Sequence, residues 1–388
     1  MALGVLDAQD FDFPVPIAYG PGRLDEIASL CAQNGVERPL IVTDRGSRDL
    51  PFIGRLASLL SAAGLTNAIF SDISPNPRDD EIEAGSEVVR AGDHDAVIAI
   101  GGGSAMDGSK SICFTAHSGH AIAAFNYDTP APDVTAPFPK LITIPTTSGT
   151  GAETESTAMV TDTGKGMKFC AWHPDLKPCV ALLDPELTLG LPPHLTAWTG
   201  VDALTHAIEA YIVPDFNPLC DAMALEGLAL IAGALERAVT QPDDLEARGQ
   251  MLLGSCLAGI AFLKGLGHVH AISHMVGAEY DTQHGLTNAI VLPVVLRYNL
   301  PDLPEKTRRM AEAMGLGAQD WQAFCAAIEG ILDRLEIPKS LSELGVEMDS
   351  AERLAGKALL DAAAGTNPRQ SSVAEMRALI EAAISGAR

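Results

Sequence analysis

Histidines are concentrated in one short stretch of the chain. Four of the ten lie within residues 265–288, in the sequence GLGHVHAISHMVGAEYDTQHGLTN. On a helix, His270 and His274 are four residues apart and project from the same face, whereas His268 points well away from both. Imidazole nitrogens bind transition metals at about 2.0–2.1 Å. The stretch is therefore a candidate metal site.

The last histidine of this stretch joins the others only if the chain turns. His284 follows His270 by 14 residues, which would separate them by about 21 Å in one unbroken helix. Residues that favour turns and loops lie in the right place: Asp281, Thr282 and Gly285. We therefore expect the chain to fold back before His284.

A second pair of candidate ligands occurs earlier in the chain. Asp202 and His206 are four residues apart in the helical pattern TGVDALTHAIEAYIV. With His270 and His284 they make one carboxylate and three imidazoles without a thiolate, which suits Fe(II), Zn(II) or Mn(II) and leaves room for a water or substrate oxygen. Each pair alone is more typical of buried polar residues that only form hydrogen bonds, but the two pairs together, beside two nucleotide-type loops, favour a metal site.

The elements that would position these residues fall into two groups. Buried strand patterns that end in polar or Gly-rich loops occur at 38–44, 95–114 and 140–162 and alternate with helical patterns, whereas almost only helical patterns follow residue 195. Alternation predicts a parallel, Rossmann-like sheet with helices on both faces. We expect an α/β nucleotide-binding domain over 1–186 and an all-α metal-binding domain over 187–388.

Two loops at predicted strand ends could hold a dinucleotide. The first, IAIGGGSAMDGSK, lacks G-x-G-x-x-G, but its glycines would still let backbone N–H groups approach a pyrophosphate. The predicted contacts there are Gly102, Gly103 and Ser104, while Asp107 and Lys110 are candidates for pinning the loop to its neighbours. The second loop supplies hydroxyl groups at Thr146, Thr147, Ser148 and Thr150. Glycines also serve ordinary tight turns, so the pair of loops indicates more than either one.

Composition excludes several classes of partner. The formal net charge of −24 argues against nucleic acid and anionic membrane. No uninterrupted apolar segment approaches the ~18–20 residues of a membrane helix, and the acidic N-terminus is not typical of a signal peptide. Seven cysteines without a C-x-x-C pair suit free thiols in a reducing cytoplasm. We expect a cytoplasmic protein that acts on a small molecule.

The ordered motifs resemble one family over nearly the whole chain, the iron-containing (group III) alcohol dehydrogenases. The motifs are PNP at 75–77, GGGSAMDGSK, PTTSGTGAE, DP at 184–185, TGVDALTHAIEAY, the histidine stretch and TNPR at 366–369. The resemblance implies a nucleotide-binding α/β domain, a helical domain and an active site in the cleft between them. It also implies a homo-oligomer, a dimer or larger.

The resemblance assigns roles residue by residue. Asp202, His206, His270 and His284 fall on the family's metal ligands, and His274 falls on a histidine near the nicotinamide. Further positions match cofactor contacts: Asn76, Ser104, Thr146, Thr147, Thr150 and Lys168. His268 departs from the apolar residue that many relatives carry, and we expect it to line the substrate pocket or to be a tolerated change.

The implied activity is reversible hydride transfer between an alcohol and NAD(P)⁺. Fe(2+), or Zn(2+) as an alternative, would act as a Lewis acid on the alcohol oxygen, with His274 as a proton relay. Two alternatives remain. One is a glycerol dehydrogenase-like or dehydroquinate synthase-like enzyme of the same fold, and the other is a non-catalytic nucleotide- or metal-binding subunit.

Two further expectations concern cofactor and substrate choice. Asp44 closes a strand where its carboxylate could accept hydrogen bonds from a ribose 2′-OH and repel a 2′-phosphate, which favours NAD over NADP; Arg45 and Arg48 could offset that repulsion. Lys264 and His268 could give a substrate carboxylate, as in 4-hydroxybutyrate, a cationic partner. Lys264 is equally well explained as an ordinary solvated lysine.

Overall fold

The computed structural model describes residues 9–11, 15–317 and 320–387. They form two compact units. One comprises the described residues up to Thr147 together with Ala152–Gly190, and the other comprises Ser148–Gly151 and Leu191 onward.

The first unit is built on a seven-stranded sheet in the order β1-β2-β9-β6-β5-β3-β4. The strands are β1 Gln9–Phe11, β2 Ile17–Tyr19, β3 Pro39–Asp44, β4 Ala68–Ile73, β5 Ala96–Gly101, β6 Lys140–Pro145 and β9 Val180–Leu183, with β7 Thr157–Asp162 and β8 Met167–Trp172 forming a separate antiparallel pair. Only β1 runs antiparallel to its neighbour in the large sheet. The predicted parallel sheet is confirmed.

Helices cover both faces of this sheet: α1 Ile27–Gln33, α2 Pro51–Ala62, α3 Asp79–Ala91 and α4 Gly103–Ala116. Apolar clusters lie on the two faces, one with α1 and α2 and the other with α3 and α4. Strand β5 is buried along its whole length, which explains its continuous apolar sequence, since a parallel strand covered on both faces shows no alternation.

The second unit is helical, as the sequence predicts. Its helices are α5 Pro193–Ile212, α6 Pro218–Thr240, α7 Leu245–Ala261, α8 His268–Tyr280, α9 His284–Asn299, α10 Pro304–Ala313, α11 Trp321–Arg334, α12 Ala351–Ala358, α13 Ala362–Thr366 and α14 Val373–Ser385. Helix α5 packs against α6, α7 and α9 and is buried on nearly every side. It forms the centre of one large apolar cluster.

The division between the units differs in detail from the expected boundary at 186/187. The chain passes from the sheet unit to the helical unit at 190/191, because the turn after β9 stays with the sheet: the Asp184 carboxylate accepts hydrogen bonds from the backbone N–H groups of Gly22 and Leu24. Residues 148–151, inside the second predicted nucleotide loop, also belong to the helical unit. The functional domain boundary stays a prediction.

Helix α6 is long and rich in apolar residues. Among the described residues, α6 is long and apolar enough to cross a membrane. Its most apolar 18-residue segment has a mean hydropathy of 1.5, and 39% of that segment is buried. Core helices of water-soluble proteins share this length and composition.

A close backbone contact holds segment 148–151 in the helical unit. A Cβ on Gly259 of α7 would lie 2.4 Å from the carbonyl oxygen of Gly151, and Gly151 itself has φ +64. Only glycine fits both positions, because a methyl group at either one overlaps backbone atoms that cannot rotate away.

We expect Gly259→Ala to lower the free energy of unfolding by about 1–3 kcal/mol, the usual cost of overpacking. Thermal or urea denaturation measures it. The matched control is Gly233→Ala on α6, where an added Cβ meets nothing within 4 Å; there the better helix propensity of alanine should give a gain of up to about 1 kcal/mol. Equal effects of the two changes would contradict the close-contact interpretation.

Candidate metal centre

Two of the predicted ligands come from the middle of α5. Asp202 and His206 lie four residues apart on one face of this helix, and both are buried. Helix formation is favoured by Pro193 in the first turn, which needs no N–H partner there. A carboxylate inside a helical core is costly unless a positive or hydrogen-bonding partner compensates, so its position calls for such a partner.

The other two ligands lie on either side of the expected fold-back, which the structure confirms. Helix α8 ends at Tyr280, and its C-cap, Asp281, has the left-handed backbone conformation, φ 52. The Gln283 side chain then caps α9 by accepting from Leu286 N–H at 2.6 Å. Gly285 lets α9 approach α5 closely, because a Cβ there would lie 2.4 Å from the carbonyl oxygen of Trp198.

The four side chains converge. Asp202, His206, His270 and His284 each offer one ligand atom, and these atoms lie within 4.8 Å of one another. The Asp202 Oδ1 atom is 4.0 Å from His206 Nε2, 4.0 Å from His270 Nε2 and 3.7 Å from His284 Nε2. Ligands about 2.1 Å from a tetrahedral ion are about 3.4 Å apart. The set would therefore have to contract, by about 1.4 Å at most between any two ligand atoms, to close around a cation.

Two imidazoles are oriented by partners on their other nitrogen. His206 Nδ1 lies 3.1 Å from the carbonyl oxygen of Gly149, and His270 Nδ1 lies 2.7 Å from Glu209 Oε2. Protonation of Nδ1 in each case leaves the lone pair on Nε2, the atom that faces Asp202. Such outer partners fix the tautomer and the ring plane in metal sites of proteins.

Glu209 was missed by the sequence analysis. It lies on α5, one turn beyond His206, and its carboxylate also accepts from the backbone N–H groups of Val269 and His270, at 2.8 and 3.3 Å. It thus caps the first turn of α8, which has no capping side chain of its own. Its acidic residue type was visible in HAIEAY, but nothing local points to a partner about sixty residues away.

The protonation states of the residues in and beside the cluster also favour binding of a cation. Burial lowers the pKa of His270 well below its usual value, so this imidazole is neutral and its lone pair is available. Burial raises the pKa of Asp202 and raises that of Glu209 to about 7. For both carboxyl groups the effect of burial outweighs the hydrogen bonds and nearby histidines that lower the pKa, and a divalent cation would add compensating positive charge.

The Asn288 amide occupies the same acceptor cluster. Its Nδ2 lies 2.6 Å from Asp202 Oδ1, 3.2 Å from His270 Nε2 and 3.1 Å from His284 Nε2. Its Oδ1 is buried and has no hydrogen-bond partner in the described part of the chain. Three acceptors around one donor, with an orphaned oxygen beside them, are consistent with a site whose natural occupant is positively charged. The donor set fits a divalent transition metal.

His274 adjoins this cluster without belonging to it. Its ring stacks on that of His284, with centroids 5.4 Å apart, and its Nδ1 lies 2.9 Å from Asp361 Oδ2. Burial works to raise the pKa of Asp361, but the charge of His274 and its hydrogen bond outweigh it, so the pKa is lowered. The ionised Asp361 orients the imidazole and leaves Nε2 able to exchange a proton. The sequence analysis did not identify Asp361.

The predicted nucleotide loops meet at one edge of the sheet unit. Helix α4 begins at Gly103 immediately after β5, so the Gly-rich loop lies at a helix N-terminus, where backbone N–H groups attract anions. Thr146 N–H donates to the Gly101 carbonyl at 2.9 Å, and the Thr147 methyl lies 3.5 Å from where Gly102 would carry a Cβ. Ser104 follows in the first turn of α4.

The expectation that Asp107 and Lys110 pin this loop is met. Lys110 is fully buried; its Nζ donates to the Thr157 carbonyl at 2.7 Å and pairs with Glu155 at 3.7 Å. Asp107, whose pKa burial raises to about 7, accepts from the backbone of Met159. Both residues therefore tie α4 to β7.

The remaining predicted cofactor contacts lie on several different elements. Asp44 ends β3 with its Oδ2 2.9 Å from the position that a Cβ would take on Gly101. Asn76 lies in the turn after β4, where its carbonyl oxygen is 2.9 Å from Ser74 Oγ. Lys168 is on β8 opposite Thr161. Thr150 belongs to segment 148–151, which packs with the helical unit.

The suggested cationic partners of a substrate carboxylate are engaged elsewhere. The Lys264 side chain is 1% exposed and is paired with Asp221, and its Nζ also donates to the Tyr211 carbonyl at 3.2 Å. His268 is fully buried and its Nε2 lies 2.7 Å from Ser371 Oγ. Neither side chain is a solvated lysine or an open pocket residue. The sequence missed this because both partners lie far away along the chain.

Family models cover both units. The model described as iron-containing alcohol dehydrogenase matches residues 14–185, and the C-terminal model of the Fe-containing alcohol dehydrogenase family matches residues 196–384. Together they account for most of the chain and include both candidate ligand pairs.

Characterised proteins match over nearly their full length. The NAD-dependent methanol dehydrogenase of Bacillus methanolicus is 35% identical, covering 97% of this chain and 100% of the relative. The 4-hydroxybutyrate dehydrogenase of Cupriavidus necator is 36% identical, covering 93% and 96%. A crystal structure of 1,3-propanediol oxidoreductase superposes with a TM-score of 0.91 at 36% identity, covering 98% and 100%. By sequence, fold and the composition of its ligand cluster, the chain belongs to the iron-containing alcohol dehydrogenase family.

Proposed function

We propose that this chain is an NAD-dependent, metal-dependent alcohol dehydrogenase that interconverts a small alcohol and its aldehyde or ketone. The observation that carries the proposal is the convergence of Asp202, His206, His270 and His284 within 4.8 Å. No such cluster is needed to bind a nucleotide or to fold a helical unit, and a metal-dependent oxidoreductase of this family requires one.

The four ligands would hold Fe(2+), with Zn(2+) as the alternative, because carboxylate and imidazole donors accept either ion. Bound there, the ion would supply Lewis-acid polarisation of the alcohol oxygen. Glu209 and the Gly149 carbonyl keep the two buried imidazoles in the ligating tautomer. The partly exposed His284 side chain, at 31%, leaves one side of the cluster accessible to a substrate.

His274 would move the proton. Its Nδ1 is committed to Asp361, so Nε2 is the atom that exchanges a proton with the substrate hydroxyl or with solvent. Asp361 acts on it as a positioning residue, in the manner of a carboxylate that fixes an imidazole tautomer.

The cofactor would bind along the carboxyl edge of the sheet. Gly102, Gly103 and Ser104 would face the pyrophosphate at the start of α4, and Asp44 would accept from the adenosine ribose 2′-OH. The other cofactor contacts proposed from the resemblance are Asn76, Thr146, Thr147, Thr150 and Lys168.

The substrate is proposed to be a small alcohol or aldehyde without a required carboxylate. Lys264 and His268, the residues first considered for a hydroxy acid, are buried and paired, and breaking the Lys264–Asp221 pair would strand a buried charge. We further infer that the protein acts in the cytoplasm as a homo-oligomer and binds neither nucleic acid nor membrane.

Metal binding should stabilise the protein. We expect Fe(2+) or Zn(2+) at a hundred times its dissociation constant to raise the free energy of unfolding of chelator-treated protein by about 2.7 kcal/mol, measured as a thermal shift. His284→Ala should lose most of the shift. His117→Ala, which alters an exposed histidine outside the cluster, should keep it; an equal shift in both variants would contradict the proposed site.

The ligands should be needed for turnover but not for cofactor binding. We expect Asp202→Ala and His270→Ala to lower kcat at least about a thousandfold, since Lewis-acid stabilisation of several kcal/mol is lost at 1.36 kcal/mol per factor of ten. NADH binding, followed by fluorescence, should persist. His194→Ala changes an exposed residue in the first turn of α5, the helix that carries Asp202, and this variant should remain active. Full activity of metal-free His270→Ala would rule out the mechanism.

Asp44 should set the cofactor preference. We expect the wild type to have the higher kcat/KM with NAD⁺ and Asp44→Gly to reduce the ratio of NAD⁺ to NADP⁺ efficiency about tenfold or more, the factor that 1.4 kcal/mol gives. Asp128→Gly, an exposed acid of the same unit, serves as the control. A wild type that already prefers NADP⁺, or an unchanged ratio in Asp44→Gly, would remove Asp44 from the assignment.

A further inference from the structure

Two arginines follow Asp44 closely, and each could in principle neutralise a 2′-phosphate. Arg48 lies on the exposed side of the turn, with only a loose contact of 3.8 Å to the exposed Asp49. Arg45 is different. Its Nη1 lies 2.9 Å from Glu81 Oε1, and its Nη2 donates to the Asp72 carbonyl at 3.2 Å. The guanidinium adjacent to Asp44 is therefore already bound within the sheet unit.

Glu81 is a firm anchor for that guanidinium. Its side chain is 8% exposed, while that of Arg45 is 51% exposed. Its Oε2 accepts from Ser74 N–H at 3.1 Å, from Ser74 Oγ at 2.9 Å and from Arg78 N–H at 3.2 Å. These donors fix the carboxylate at the start of α3 and leave Oε1 directed to Arg45. A charge-assisted bond to a buried carboxylate is stronger than one between two exposed side chains.

The Asp44 carboxylate is fixed as well, and away from Arg45. Its Oδ1 accepts from Ser47 N–H and its Oδ2 from Ser47 Oγ, both at 2.9 Å. Although Asp44 and Arg45 are neighbours in sequence, each charge has its own partner. The carboxyl end of β3 therefore presents the Asp44 carboxylate toward the Gly-rich loop. The adjacent Arg45 guanidinium is bound to Glu81 instead.

We propose that Glu81 is a specificity-determining residue: by binding Arg45 it keeps the guanidinium from a 2′-phosphate and so completes the discrimination begun by Asp44. This inference rests on the proposed nucleotide site. A free guanidinium directly after Asp44 would offset the charge of its carboxylate; the Glu81–Arg45 pair removes the compensation that Arg45 would give.

The variant Glu81→Gln tests the proposal with little change of shape. The glutamine oxygen must face the three donors of Ser74 and Arg78, which turns its NH₂ group toward Arg45. An acceptor is thereby replaced by a donor, and the guanidinium is released while the cap of α3 remains. The matched control is Glu83→Gln on the same helix, which breaks the exposed pair with Arg90 at 2.7 Å.

The measurement is the ratio of dissociation constants of the full-length protein for 5′-AMP and adenosine 2′,5′-bisphosphate, by calorimetry. We expect Glu81→Gln to shift this ratio about tenfold toward the bisphosphate, the factor for 1.4 kcal/mol. The double variant Glu81→Gln/Arg45→Gln should return to the wild-type ratio, and Glu83→Gln should not depart from it.

Several outcomes would overturn the proposal. An unchanged ratio in Glu81→Gln contradicts it, as does a shift that survives in the double variant. Arg45→Gln alone gives an independent test if Glu81→Gln does not fold: it should leave the ratio unchanged, and a loss of bisphosphate affinity would show that Arg45 is not withheld. Failure of the wild type to bind 5′-AMP at all would instead refute the nucleotide site, and with it the proposed function.

Discussion

The helical unit depends on one buried carboxylate. Glu209 lies on α5 and binds the first turn of α8 through Val269 N–H, His270 N–H and His270 Nδ1. Because these bonds join two helices at the level of the ligand cluster, they fix the position of His270 relative to Asp202 and His206. Loss of this carboxylate would leave buried donors unsatisfied, which is more costly than the bonds themselves are favourable. The site and the packing of its helices are therefore stabilised by the same group.

The pattern of nearby residues was sufficient to predict the strands, the helices and one turn. The alternation of strand and helix patterns predicted the parallel sheet, and i,i+4 spacing predicted that Asp202 and His206 share one face of α5. The turn before His284 was predicted from the turn-forming residues Asp281, Thr282 and Gly285, and in the structure Asp281 has the left-handed conformation at φ 52. These features depend on neighbours within a few residues, so one sequence contains the information for them.

The features that the sequence did not reveal depend on distant partners. From the sequence, Lys264 could be a solvated lysine and His268 a pocket residue. In the structure Lys264 is paired with Asp221, and His268 forms a hydrogen bond with Ser371. Asp361 became visible only as the partner of His274, far earlier in the chain. In each case the residue type is ambiguous alone, because burial decides whether a charged or polar group serves chemistry or packing, and burial is a property of the whole fold.

Segment 148–151 has a consequence for how the chain can be divided. Its Gly151 packs on Gly259, and its Gly149 carbonyl supports His206, although it is encoded between β6 and β7 of the sheet unit. The helical unit is therefore discontinuous in the gene. A fragment that begins at Leu191 would lack the backbone that packs on α7 and contacts His206. Exchange of the helical unit between related proteins would therefore preserve these contacts only if the loop were exchanged with it.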